Sequence, residues 1–219
     1  MTLWLANPSA TVTRLAATLA RRGHALGGME SAEPRTWILG SEDDPVAAGI
    51  VARDDSHDRI LVLSWIGTHP DARAEVLRRL WMLEERCRAT GIPTLTLRLA
   101  PLAGPESPLW KMLAGSQPGA RLARKLVHPV LESDVVEAMD RALRGAAVWE
   151  GWQEIGGPDI VSLGELAALA RTSRVTRGGA WEPDPDALAE QRLIEPAVWA
   201  RWSGIEPGSV VAEAAQWAA

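Results

Sequence analysis

From Thr2 to Leu99 the chain alternates short apolar runs with stretches of helical spacing, and this alternation narrows the available folds more than any other feature. Thr2 to Ala6 reads as a strand, Asn7-Pro8-Ser9-Ala10 as a tight turn, and Thr11 to about Arg22 as a helix stopped by Gly23. Arg35 to Gly40 is a second apolar run. Behind it, Ser41-Glu42-Asp43-Asp44-Pro45 opens another helix with a capping side chain and an early proline, ending near the polar run Asp54 to Asp58. Arg59 to Trp65 is the strongest strand. The helix expected from about Ala72 to Thr90 carries Val76, Leu77, Leu80, Trp81 and Leu83 at near-helical spacing before Gly91 stops it, and Pro93 to Leu99 follows as a buried strand. Strand and helix units joined this tightly build a parallel α/β sheet covered by helices on both faces.

Beyond Leu99 the pattern loosens into a Pro- and Gly-rich connection. A helix is expected from about Glu132 to Leu143, a short strand around Trp152 to Ile155 and a helix from about Leu163 to Ala170. Gly178 to Pro185 reads as a linker before an Ala-rich helical tail. The expected organisation is one domain over residues 1–127, with residues 128–219 forming a small lobe and tail packed on it. At 219 residues and 47% hydrophobic content the chain can bury such a core.

Composition removes several kinds of chemistry. The chain has no tyrosine and no phenylalanine but eleven tryptophans, so no tyrosine-based proton donor exists in it. A net charge of -5 argues against a nucleic-acid surface, which needs a basic patch. Four scattered histidines and one cysteine show no metal-ligand spacing. Cys87, within Glu84-Glu85-Arg86-Cys87-Arg88, cannot form an internal disulfide and is expected to be a quietly packed helix cysteine. The N-terminus lacks a basic segment followed by an apolar one, and no apolar run approaches the roughly 20 residues that span a bilayer. A cytoplasmic protein without membrane contact is the expectation.

Several segments, in order and spacing, resemble one family. They are Leu3 to Leu26 (LWLANPSATVTRLAATLARRGHAL), Ile60 to Gly67 (ILVLSWIG), Glu84 to Gly104 (EERCRATGIPTLTLRLAPLAG), His128 to Ala142 (HPVLESDVVEAMDRA) and Glu154 to Ala168 (EIGGPDIVSLGELAA). Across roughly residues 2 to 170 the chain resembles an atypical member of the short-chain dehydrogenase/reductase (SDR) superfamily, of the NmrA-like and NAD-dependent-epimerase-like branch. The resemblance implies a dinucleotide turn after the first strand, touched by Asn7, Ser9 and Ala10. It implies an active-site serine at Ser64, Arg98 in its usual place, and substrate-lobe segments bearing Asp134 and Gly156-Gly157-Pro158.

Against that pattern the chain departs three times. The three glycines of the cofactor turn fall on Asn7, Ala10 and Thr13, and a β-branched Thr13 at the helix-strand contact opposes the usual dinucleotide pose. The family's catalytic tyrosine and lysine project onto Val76 and Leu80, neither of which transfers a proton. About 35 residues separate His24 from the Ile60 strand, too few for the family's additional strand-helix units. Losing an edge unit costs less than losing a central strand, so Thr36 to Gly40 is read as the fourth strand of the order 3-2-1-4-5. The edge around strands 2 and 3, which ordinarily cradles the adenosine half, is then reduced. The fold class is a reduced Rossmann-like parallel sheet with a small C-terminal substrate lobe.

In such sheets ligands bind outside the carboxyl ends of the strands, which gathers the Asn7 turn, Ser41 to Asp44, Ser64 to Asp71 and the loop after Leu99. Glu42, Asp43 and Asp44 follow one strand, and His69 and Asp71 the next, so a carboxylate-imidazole pair could face across the crevice. The same residues also read as helix caps and a solvated histidine. Ser64 reads either as a donor to substrate or as a strand-end serine tying off backbone. Trp65 and Trp110, with Trp149 and Trp152, could line an aromatic pocket or pack a core, and Arg98 could meet substrate or anchor its loop. His24 and His128 look structural.

The expected function is binding of a small organic molecule without a cofactor, by a non-redox biosynthetic enzyme such as a cyclase, dehydratase or isomerase using Ser64, His69, Asp71 or Asp43. The alternatives are an NAD(P)-dependent atypical reductase or epimerase and a non-catalytic NmrA-like binding or regulatory protein. The partner is a small-molecule ligand, and a homodimer stays open. Residues 35–99 also mimic an acetyltransferase core, but Ala74-Glu75-Val76 stands where that fold needs a Gly-rich pyrophosphate turn. A faint helix-turn-helix pattern over 163–181 sits poorly in an acidic chain.

Overall fold

The computed structural model describes residues 2–5, 9–27, 35–40, 59–175, 178 and 182–217. Along the chain run β1 (Thr2–Leu5), α1 (Ala10–Arg21), β2 (Ala25–Leu26), β3 (Arg35–Leu39), β4 (Arg59–Trp65), α2 (Glu75–Ala89), β5 (Thr94–Leu99) and β6 (Leu102–Ala103). There follow α3 (Pro108–Gly115), α4 (Ala120–Ala123), β7 (Leu126–Val127), β8 (Val130–Leu131), α5 (Glu132–Arg141) and β9 (Trp152–Ile155). The last elements are β10 (Val161–Ser162), α6 (Leu163–Thr172), α7 (Pro185–Glu190), α8 (Pro196–Ser203) and α9 (Val210–Trp217). The helix expected after Ser41 lies outside the described residues. Two compact units interleave: Met1–Arg98 with Met139–Gln153, and Leu99–Ala138 with Glu154–Ala219.

In the first unit Ser9 sets the phase of α1. Its Oγ accepts the Val12 N–H at 3.2 Å, so the helix begins at Ala10 and turns Val12, Leu15, Ala16 and Leu19 inward. Gly23 ends the helix at φ 96, a conformation that side-chain-bearing residues resist. β1 pairs parallel with β2 through Thr2↔Ala25 and Leu3↔Leu26, and on its other side parallel with β3 from Thr2↔Arg35 to Leu5↔Ile38. β4 continues parallel beside β3, and the full sheet order is β2-β1-β3-β4-β5-β9. Ile60, Leu61 and Val62 are fully buried, as a strand covered on both faces must be.

The order confirms the doubly wound reading. β3 lies directly beside β1, where the fourth strand was expected, and among the described residues the outer side of β1 carries β2 alone. Residues 27–34 are all that connect β2 to β3, fewer than the dozen or so that a parallel crossover with its helix needs.

A largely buried polar contact ties His24, just past α1, to Asp140 at the end of α5 and to Arg144 beyond it. His24 Nε2 lies 2.5 Å from Asp140 Oδ1, and Arg144 Nε donates to the same oxygen at 2.9 Å. Burial works to raise the Asp140 carboxyl, but hydrogen bonds from His24 and Arg144 outweigh it and hold the group below its ordinary value. A depressed native pKa gives stability that is present above the unfolded value, near 4, and lost as pH falls through the native one. Urea unfolding of Asp140→Asn against the parent should therefore show a stability gap at pH 7 that narrows below about pH 4. A gap independent of pH refutes the ionised pairing.

The second unit packs helices over two small ribbons, β6 parallel to β8 and β7 antiparallel to β10. Its core joins Trp110, Leu113, Leu163, Leu166, Ala170 and Val210. Ser162 and Glu165 form a reciprocal cap at the start of α6. The Gly156-Gly157 segment is wedged tightly within this unit. A Cβ on Gly157 would land on the Pro129 carbonyl oxygen, while His128 Nδ1 meets the Gly157 carbonyl at 3.0 Å and Trp199 Nε1 donates to Gly156 O at 2.8 Å.

Candidate functional site

The carboxyl ends of β1, β3 and β4 lie together in the first unit because the three strands are parallel neighbours. Asn7, Glu42, Asp43 and Asp44 lie outside the described residues. Ser9 and Ala10 open α1, Ser9 as its cap and Ala10 as its first residue. The Val12 N–H is taken by Ser9 Oγ and the Thr13 N–H by Ser9 O at 2.9 Å. The Ala10 and Thr11 amides have no acceptor within the helix by its geometry.

Thr13 is not where motif projection put it. It is exposed and donates its hydroxyl to Ser9 O at 3.0 Å, because the helix phase turns Val12 inward instead. The close approach of helix to sheet is made by Val12 against Gly40: a Cβ on Gly40 would come 2.5 Å from Val12 Cγ2 and 3.1 Å from Leu63 Cβ. A glycine at the end of the strand does here what the family's third glycine does on the helix. The steric objection raised for Thr13 is thereby removed.

Ser64, at 2% exposure, is 3.0 Å from Thr68 Oγ1, which donates onward to the Trp65 carbonyl at 2.8 Å. With the Thr68 proton committed, Ser64 donates to Thr68 and keeps lone pairs, an acceptor rather than the donor expected of it. Thr68 was missed in the sequence; the hydroxyl four residues after Ser64 was its signal. Trp65 is buried beside them.

His69 and Asp71 share one turn, with the Asp71 N–H donating to His69 Nδ1 at 3.1 Å, and their side chains are 63% and 89% exposed; the Glu42 to Asp44 carboxylates expected opposite them lie outside the described residues. Solvation at that level leaves neither group the water-excluded setting in which proton transfer to a bound substrate is favoured. On α2, Val76 and Leu80 are buried apolar residues.

Arg98 is held by a partner overlooked in the sequence. Its Nε and Nη2 bond the two carboxylate oxygens of buried Glu84 at 3.1 and 2.6 Å, and its guanidinium lies 4.6 Å from the Trp152 ring centroid. Through these two bonds it anchors β5 to α2. Cys87, one turn beyond Glu84, is fully buried, and burial with the Glu84 charge pushes its thiol up to about 12. Trp110 belongs to the second unit's core, wholly buried, with Nε1 donating to Ser173 Oγ at 3.0 Å and Trp217 4.9 Å away edge-on. Asp134 accepts the Gly208 N–H at 2.8 Å, and burial pushes its carboxyl above the ordinary value. Among the described residues no cluster could hold a metal ion, and no helix is long and apolar enough to cross a membrane.

No family model matches the chain, and no curated protein matches it by sequence. Solved structures match over nearly all of it. MoeE5 in complex with UDP-glucuronic acid and NAD is 12% identical with a TM-score of 0.70, covering 99% of this chain and 98% of that one. The chain shares the fold of that NAD-bound protein. A functionally unknown conserved protein from Silicibacter pomeroyi is 15% identical over 98% of both chains, with a TM-score of 0.67. The Bordetella bronchiseptica enzyme WbmG, solved with NAD and UDP, is 12% identical with a TM-score of 0.64, covering 99% of this chain and 94% of its own. The Rossmann-like parallel sheet expected from the sequence is thus the fold observed.

Proposed function

We propose that this chain binds a nucleotide-bearing small molecule at the carboxyl ends of β1, β3 and β4, on an SDR-type fold without the tyrosine-lysine proton relay. The observation that carries the reading is the sheet order. β1 has β2 on one side and β3 on the other, and open α/β sheets hold their ligands at such a switch point. The Ala10 and Thr11 amides open a helix there, and the positive end of its dipole favours a phosphate. Structures of the same fold hold NAD with UDP or UDP-sugars. With Val76 and Leu80 in place of the relay, binding is the function these residues support. The proton-transfer alternative built on His69 and Asp71 draws no support from their solvated turn.

A second reading, an atypical NAD(P)-dependent reductase or epimerase, is favoured by the exposure of Thr13 and by the NAD in the solved structures. In that reading NAD(P) supplies hydride exchange, the Ala10 and Thr11 amides hold its phosphates, and no tyrosine assists.

Titration of the full chain with UDP, UDP-glucose, NADH and NADPH, read by tryptophan emission, tests both. Micromolar binding of a nucleotide supports the proposal, and absence of binding by all four at millimolar concentration overturns it. NAD-dependent interconversion of UDP-glucose with its C4 epimer establishes the second reading instead.

The variant Ala10→Pro locates the site. Ser9 is already extended, at φ -62 and ψ 165, and proline is accepted at a first helical position, so the substitution removes one N–H and little else. Loss of a hydrogen bond to a charged phosphate costs about 1.5–3 kcal/mol, weakening nucleotide binding roughly 10- to 100-fold with an unchanged unfolding midpoint. Unchanged affinity removes α1 from the site.

A further inference from the structure

We infer that Thr68 sets the polarity of the Ser64 hydroxyl, so that the ligand presents a sugar hydroxyl there, donating to Ser64, in preference to a carbonyl oxygen. This rests on the nucleotide-binding reading above and deepens it by naming the group that lies beyond the phosphates.

Three oxygens stand in line across the turn that follows β4: Ser64 Oγ, Thr68 Oγ1 and the Trp65 carbonyl, spaced at 3.0 and 2.8 Å. A carbonyl oxygen only accepts, so the second bond uses the Thr68 proton and the first must use the proton of Ser64. The reverse arrangement, with Thr68 donating to Ser64, makes one side-chain bond where this one makes two. Both hydroxyls are buried, and buried polar groups keep the bonds they can make. The turn itself is fixed. Gly67 sits at φ 100, in the left-handed region, and the Thr68 N–H donates to the same Trp65 carbonyl at 3.2 Å. Thr68 is thus held to one acceptor by backbone and side chain alike.

Ser64 is the penultimate residue of β4 and its partner lies past the end of the strand, which puts Oγ at the carboxyl end. In the sheet order β4 is two strands from β1, about 10 Å away. A nucleoside diphosphate sugar with a phosphate at the α1 amides spans that distance with its ribose or hexose. What it meets at Ser64 is a pair of lone pairs without a proton. A hydroxyl donates into them, whereas a carbonyl oxygen is repelled until the Ser64–Thr68 bond is given up.

A fluorine scan of UDP-glucose on the full chain, read by calorimetry, is the test. Each of six analogues carries fluorine in place of one ribose or glucose hydroxyl, which removes the proton and keeps the size. At least one analogue should bind the parent about five-fold or more weakly than UDP-glucose does, the effect of a lost hydrogen bond at a buried acceptor. That loss should vanish in Ser64→Ala, persist in Thr68→Ser, and shrink in Thr68→Val, where the serine proton is released. A flat scan in the parent, a loss undiminished in Ser64→Ala, or equal losses in Thr68→Ser and Thr68→Val overturns the inference and leaves the nucleotide-binding reading standing. Failure of UDP-glucose alone to bind has the same meaning. If UDP, NADH and NADPH fail with it, the reading itself falls.

Discussion

Glu84→Ala should lower the unfolding midpoint by about 6–20 °C. The estimate follows from about 3–5 kcal/mol for breaking a buried ion pair and about 2–4 °C per kcal/mol in a chain of this size. The carboxylate is 1% exposed and engages two guanidinium nitrogens, so its removal strands a charge that is itself only 8% exposed. The cost belongs to the orphaned arginine more than to the lost attraction. For that reason Glu84→Leu combined with Arg98→Met should recover most of the midpoint, as replacing both partners of a buried pair often does. A thermal melt of the single and double variants decides the matter. Equal losses would show that Arg98 does its work through Trp152 rather than Glu84.

Gly157→Ala should cost about 3 kcal/mol or more, at the top of the range for overpacking, because the added methyl strikes a backbone carbonyl that cannot rotate away. The corresponding fall in midpoint is about 6–12 °C. Gly119 supplies the control. It caps α4 at φ -55 with open space around its Cα, so alanine there should leave the midpoint within a degree or two or raise it slightly. A Gly157→Ala protein that melts with the parent would mean that the Gly156-Gly157 turn relaxes freely and does not brace the second unit.

The topology was legible in the sequence because strand deletion obeys hydrogen-bond accounting. Once the missing length was located between His24 and Ile60, only an edge could be lost, and β3 beside β1 followed. The inward face of α1 was legible too, in the spacing of Val12, Leu15, Ala16 and Leu19. Projecting a motif onto Thr13 ignored that phase and put the wrong residue against the sheet. The site was harder to read because its contacts depend on geometry that spacing does not encode. His69 and Asp71 look like partners for groups across a crevice, yet two residues in one turn bond each other first. Glu84 and Arg98 were each noticed in the resemblance, but their pairing needs α2 laid on β5 and is invisible along the chain.

The contact between Val12 and Gly40 carries an evolutionary consequence. With Val12 filling the space beside Gly40, a side chain on the strand is blocked until the helix residue shrinks. Shrinking Val12 first opens a void under α1, and the intermediate in either order is less stable than its endpoints. Two residues far apart in the chain are thus coupled: a side chain at position 40 is accommodated only together with a smaller residue at position 12.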